Sequence, residues 1–278
     1  MNVFRRILSV LIAIILCLGI FGCSGKKSYG PVTDVNNLEG RSVGVNMTWS
    51  ADYMLSERND LKVVRFNTTA EIVMALRYGQ IDVAAMEKPN AVEVLNCISG
   101  LGIVDQPIAT DSLAFAVNAQ KTDLLEEINE FLEVFDGSDE QADIFERLNS
   151  DDGYEYYRVE PLTGGKTLTV GLATDSYPYS YVDFDTGEYQ GSDVEVITRF
   201  ANEYGYSINF VEGVFTTIEM GVVEGDLDLG IGAYCNASRK DAELVGAFYM
   251  SKPYMKHEIV LIEVVDRDNI KVLVPLDY

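Results

Sequence analysis

Residues 225–239, GDLDLGIGAYCNASR, combine a short apolar run with small residues and an arginine. Gly225 closes a helical pattern. Asp228 opens the run Leu229, Gly230, Ile231, which suits a buried parallel strand. Gly232 and Ala233 follow, then Asn236, Ser238 and Arg239. A strand end built of small residues lets a ligand approach the backbone, and ligands of open α/β sheets sit beyond the carboxyl ends of the strands. Arg239 offers there a planar fork that matches a carboxylate bidentately. The alternative is an ion pair with Asp241 or Glu243 on a helix surface. Two other places hold groups of the same kind. Glu87 ends the apolar stretch 81–86, and Ser50 stands at a helix start, where an anion is favoured. The one histidine, His257 in MKHEIV, reads as structural, so a His-based triad has little support. No cysteine spacing of the metal-binding kind occurs, and neither a metal nor a cofactor is expected.

Alternating strands and helices must position these groups. Strands are expected at 41–45, 62–66 and 81–86. A helix begins at 50–55 with Ser50 as its candidate N-cap. A second helix covers 71–78, opened by the capping box Thr68-Thr69-Ala70-Glu71 and stopped by Gly79. A strand at 112–117 leads to an amphipathic helix at 124–135 and to a helix capped by Ser138 that runs to Leu148. Residues 149–166 are polar and Gly-containing, a linker. A second unit then repeats the pattern. It has a strand at 167–171, the aromatic loop 176–181 and a helix to Tyr204 with a capping box at Ser192. A strand at 207–210, a short helix from Phe215 to Gly225 and the strand 227–231 complete it. Gly79-Gln80-Ile81-Asp82 echoes Gly225-Asp226-Leu227-Asp228. The alternation means a mainly parallel α/β layer in two similar lobes.

The first residues are an address. Arg5 and Arg6 precede the apolar stretch 7–20, then Ile20-Phe21-Gly22-Cys23 and a polar Ser24-Gly25-Lys26-Lys27. This is an export signal over 1–22. Its ending resembles a bacterial lipobox, which implies lipidation at Cys23 and a tether at 23–37. The apolar run is short for a spanning helix. Of four cysteines, Cys97 and Cys235 remain in the body and are expected as thiols, partly buried. The formal charge of −23 argues against nucleic acid and against an anionic surface as electrostatic partners. The chain is expected outside the cytoplasm, held to the cell membrane by lipid, as a monomer.

Larger stretches resemble a family. TLTVGLATDSYPYSYVDFDTG, QGSDVEV, FTTIEMGVVEGDLDLGIGA, NASRKDAE and FYMSKPY, within 166–262, resemble the first half of the amino-acid-type extracytoplasmic solute-binding proteins of ABC importers, family three. LEGRSVGV, TTAEIVMALRYGQIDVAAMEKP, SLAFAVN and LLEEINEFL, within 38–135, resemble its second half. The resemblance implies an α/β fold of the two-lobed Venus-flytrap type (periplasmic-binding-protein type II) with the lobe order reversed. A circular permutant joined at 149–166 is the simplest account, since the termini of domains often lie close together; a piece of a longer receptor is the other. The implied lobes are 38–107 (lobe II-like) and 108–263 (lobe I-like). A tail at 264–278 returns to the hinge or lobe II, and 258–264 crosses between the lobes.

The resemblance also implies roles. Arg239 aligns with the arginine that holds a ligand carboxylate, and Asn236 stands where a Thr is usual. Gly232 and Ala233 line the strand end. Tyr179 and Phe215 align with aromatic walls, and Glu87 with the acid that holds the α-ammonium. Thr48, Trp49 and Ser50 stand where a turn gives backbone N–H groups to the carboxylate, with Thr48 in place of the usual Gly. Trp49, the one tryptophan, should sit by the cleft. A ligand bridging both lobes would favour closure. The implied function is capture of an amino acid or similar small polar solute for an ABC permease. Two alternatives stay open: a sensory or partner-binding module with a degenerate pocket, and a dehydratase-like or murein-cleaving enzyme on the same fold.

Overall fold

The computed structural model describes residues 29–235 and 248–273. In chain order the first half holds β1 (Ser42–Asn46), α1 (Ser50–Ser56), β2 (Lys62–Phe66), α2 (Thr69–Arg77), β3 (Val83–Glu87), α3 (Lys88–Cys97) and β4 (Leu101–Ile103). Next come β5 (Ala109–Asn118), α4 (Thr122–Phe135) and α5 (Asp139–Leu148). The second half holds β6 (Lys166–Ala173), β7 (Tyr181–Val182), β8 (Tyr189–Gln190), α6 (Ser192–Glu203), β9 (Tyr206–Gly213), α7 (Phe215–Glu224) and β10 (Leu229–Cys235). The short β11 (Phe248–Met250) and the long β12 (Met255–Val264) follow.

Ten strands form one mixed sheet in the order β2-β1-β3-β12-β5-β10-β6-β9, with β11 on β5 and β4 on β12, and β7 and β8 form a separate two-stranded sheet. Each half is built alike, with β1 parallel between β2 and β3 in the first and β6 parallel between β9 and β10 in the second. Between the halves run β5 and β12, ten residues each and antiparallel. β12 pairs with β5 through 255–259 and with β3 through 259–262. β5 continues past that pairing to β10. Both crossings are therefore continuous strands that belong to both halves. This is a mixed α/β architecture of two like halves joined by two crossing strands.

The echo between the halves has a physical basis. Asp82 accepts from the Ser42 N–H at 2.7 Å, and Asp228 accepts from the Thr169 N–H at 2.8 Å. Each Asp N–H returns a bond to the same residue's carbonyl, 2.9 Å in both cases. Two residues further on, Gly44 and Gly171 admit the following apolar side chain. A Cβ at Gly44 would lie 2.4 Å from Ile81 Cδ1, and one at Gly171 would lie 2.6 Å from both Ile218 and Leu227. Gly79 and Gly225 stop the preceding helices at positive φ, 64° and 89°.

Most expected elements form, for the expected local reasons. Thr68 makes both bonds of a capping box at α2, and Ser138 caps α5. Leu124, Ile128, Phe131, Leu132 and Phe135 of α4 are buried on one stripe. Two caps differ. Ser50 is the first residue of α1 and Trp49 is its N-cap, with no side-chain cap bond. At α6 the cap is Gly191, not Ser192. Tertiary contact overrides the motif there: a Cβ at position 191 would lie 2.2 Å from the Tyr179 carbonyl, which itself accepts from the Asp193 N–H. Helix α3 starts without a side-chain cap, because Glu87 at its N-cap makes no cap bond, and Pro89 in its first turn is its start signal.

Residues 149–165 carry no helix or strand and are mostly exposed, but Tyr154 and Tyr156 pack against the core. Buried Arg147 binds the Glu155 carbonyl at 2.7 Å and both oxygens of buried Glu195 at 3.0 Å. Its guanidinium lies 4.2 Å from the Tyr157 ring centroid. After β12 the chain turns through Arg267–Asn269, buries Ile270 and binds along 97–99. Cys97 and Cys235 are thiols and are fully, not partly, buried. Among the described residues no helix is long and apolar enough to cross a membrane. The export signal, Cys23 and the end of the tail at 274–278 lie outside the described residues.

Gly171→Ala is expected to lower stability by about 1–3 kcal/mol through overpacking against Ile218 and Leu227. Urea denaturation measures it. An unchanged midpoint would mean that α7 does not approach β6 this closely.

Candidate functional site

Side chains alternate across a strand, so Val83, Ala85 and Glu87 share one face of β3. Val83 and Ala85 pack with Ala51 and Leu55 of α1. Glu87 therefore faces the first turn of α1, and it is only 3 % exposed. Burial pushes its carboxyl up to about 7, with the charge of Asp111 adding to the rise. The backbone N–H groups of Glu87, Ser50 and Ala51 oppose that shift. Its Oε2 has no hydrogen-bond partner among the described residues.

The same alternation in β12 turns Met255, His257 and Ile259 inward. His257 lies opposite Asp111 of β5. Its Nε2 is 3.1 Å from Ser50 Oγ, and its Nδ1 is 3.2 Å from the Tyr179 hydroxyl. The first half supplies the serine and the second half the tyrosine. One imidazole on a crossing strand thus joins both halves. Burial lowers the His257 pKa to about 4, against the pull of Asp111, so the ring is neutral at physiological pH.

On the second half, Asp193 in the first turn of α6 is fully buried. Its Oδ2 accepts from the Gly232 and Ala233 N–H groups, both at 2.9 Å, and Oδ1 accepts from the Tyr254 hydroxyl. Burial pushes its carboxyl up to about 6 against these bonds. They coincide with an irregularity in β10, whose pairing with β5 shifts between Gly230 and Tyr234. Ala233 sits at φ 60°, a region unusual for alanine. The small residues at this strand end thus give their N–H groups to an internal carboxyl.

The expected site residues divide accordingly. Ser50, Glu87 and Tyr179 converge around His257, and Asp193 brings Gly232 and Ala233 to the same seam. Tyr179 feels the charges of Glu87 and Asp193. Trp49 caps α1 beside Ser50 and is half-buried. Thr48 is exposed at φ 67°, and its N–H donates to Asp52 at 3.1 Å. Phe215 stands apart, packed on Tyr234 with ring centroids 4.6 Å apart. Arg239 and Asn236 lie outside the described residues. Asp193, Asp111 and Tyr254 carry no spacing that marks them as seam residues in the sequence. Only the period-two pattern of 255–259 pointed to His257 as an inward residue.

Residues 168–270 match the model of the bacterial extracellular solute-binding proteins, family 3. No curated protein matches the chain. Among solved structures, the BvgS VFT2 domain of Bordetella pertussis (a double mutant) is 14 % identical, covering 80 % of this chain and 79 % of that one, with a TM-score of 0.39. The ligand-binding component of an ABC-type import system from Staphylococcus aureus, with zinc bound, is 14 % identical over 82 % of this chain and 66 % of that one, with a TM-score of 0.43. The ancestral amino acid-binding protein AncCDT-1, a precursor of cyclohexadienyl dehydratase, is 12 % identical over 82 % and 85 %, with a TM-score of 0.39.

The folded state holds the Glu87 proton more tightly than the unfolded chain does. The resulting stability is present below the unfolded value of 4.5 and is lost as pH rises through about 7. His257 works oppositely, costing stability as pH falls from 6.5 through about 4. Glu87→Gln removes the first effect alone. The stability of the Gln variant relative to wild type should therefore grow by roughly 3 kcal/mol between about pH 5 and pH 8. Urea denaturation at several pH values measures this, and a flat difference would place the Glu87 carboxyl in water.

Proposed function

We propose that the chain is an extracytoplasmic binding protein that holds an amino acid or a similar small polar solute between its two halves. The family whose model matches 168–270 is one of solute-binding proteins, which supports ligand binding in general. The observation that carries the finer reading is Glu87 itself. A buried carboxyl with a spare oxygen, at a strand end on the seam, suits an ammonium group, which would satisfy the acceptor and favour the ionised form. Arg239 would hold the ligand carboxylate from the second half. Asn236, the Ser50 helix start and the flanking Thr48 and Trp49 would complete the polar surround. Tyr179 and Phe215 would flank the ligand side chain. In this reading the lobes are 38–107 and 108–263, in permuted order. Cys23 carries the lipid anchor, and an ABC permease receives the solute.

Ligand binding shifts the balance between open and closed forms only if the ligand contacts both halves in the closed one. β5 and β12 are the strands about which such closure would turn. A second reading, an enzyme on the same fold, is favoured by the pKa of Glu87, since a buried carboxyl pushed up to about 7 is in the range a general acid needs.

A thermal-shift screen against amino acids is expected to find a ligand that raises Tm by about 5–10 °C at a hundredfold excess over its Kd. Arg239→Ala should lower that affinity by about tenfold or more while the circular dichroism spectrum stays unchanged. No shift with any amino acid, or unchanged calorimetric affinity in the variant, would overturn the site. Chemical change in the bound ligand, followed by NMR, would establish the enzyme reading instead.

A further inference from the structure

The first turn of α3 holds two acceptor oxygens without donors. Glu87 is the N-cap residue, and Asn90, third in the helix, stands at N3. In a capping box the side chains at these two positions serve the free backbone N–H groups and lie side by side. Glu87 makes no such bond. Asn90 sends its Nδ2 to the Tyr177 carbonyl of the opposite half, at 2.8 Å. A carbonyl accepts only from the nitrogen end of the amide, so Oδ1 is left for another partner. Glu87 Oε2 and Asn90 Oδ1 are both unpartnered among the described residues, and Asn90 is 1 % exposed. An unmade bond at a buried acceptor is costly, and here two acceptors stand three residues apart beside an ionisable carboxyl. An ammonium group answers both needs, with positive charge and three donors. A hard metal ion would want six or more oxygens, and no group of three or more His, Cys, Asp or Glu side chains suited to a metal occurs among the described residues.

We propose that Asn90 is the second acceptor for the ligand's ammonium group, beside Glu87, and that its bond to Tyr177 ties capture of that group to docking of the aromatic loop. This rests on the reading of the seam as an amino-acid site. Asn90 is then a positioning and specificity residue. Its Oδ1 selects amines over the matching hydroxy acids. Its Nδ2 lands on the loop whose Tyr179 also meets His257. Ligand recognition and contact between the halves therefore share one side chain.

The test uses the full chain, wild type and Asn90→Ala, in calorimetric titrations with the twenty proteinogenic L-amino acids and their 2-hydroxy acid counterparts. Wild type should bind an amino acid and discriminate against its hydroxy analogue. In Asn90→Ala the amino acid should lose about tenfold to a hundredfold in affinity while the weak hydroxy acid changes little, so the discrimination narrows. Asn90→Asp keeps the shape and the acceptor but loses the donor to Tyr177. It should retain the preference for the amine and serves if the alanine variant does not fold. Equal discrimination in wild type and Asn90→Ala overturns this inference and leaves the amino-acid reading standing. A wild type that binds no amino acid overturns the parent reading and this inference with it. Binding that requires sodium and ignores the amine assigns the two oxygens to a metal cation and also overturns it.

Discussion

A neutral imidazole held between a serine of one half and a tyrosine of the other is the contact on which the seam depends. His257 makes both bonds from within a strand that itself belongs to both halves. Around it lie carboxyls taken out of water. Neither Glu87 nor Asp193 has an ion-pair partner among the described residues, and burial raises both toward neutrality. An isolated buried charge is too costly to keep, so such groups shift their pKa and shed the charge. The seam is consistent with this rule: carboxyls pushed toward their protonated forms, a histidine pushed toward its neutral form, and hydroxyls bridging them.

The crossing strands explain why the seam can be both dry and shared. β5 and β12 carry the chain between the halves as paired antiparallel strands, so their backbone groups are satisfied by each other along the crossing. The side chains on the inward face need not support the crossing and are released for polar work. His257 and Asp111, directly opposite one another, occupy that face.

The two halves fix the starts of their strands in the same way. Gly44 and Gly171 let Ile81 and Leu227 close over β1 and β6, and the paired Asp82 and Asp228 bonds lock the incoming turns to those strands.

Much of this was legible in the chain. The alternating elements, the Thr68 and Ser138 caps and the stop glycines are local, governed by side chains within a few residues of the backbone they satisfy; the Gly-x-x-Asp echo was visible too, but its aspartates bond to strands 40 and 59 residues away. Only the resemblance, not spacing, groups Ser50, Glu87 and Tyr179. Tertiary structure alone decided the rest. Ser50 and Ser192 have the residue type of helix caps, but Ser50 bonds to His257 and the start of α6 is set by the Tyr179 carbonyl. The role of Asp193 depends on an irregularity in a strand forty residues away, and that of His257 on two partners from opposite halves. Burial is a property of the assembled sheet. The pKa values of Glu87, Asp193 and His257, and the spare oxygens of Glu87 and Asn90, follow from it and have no signature in the order of residues.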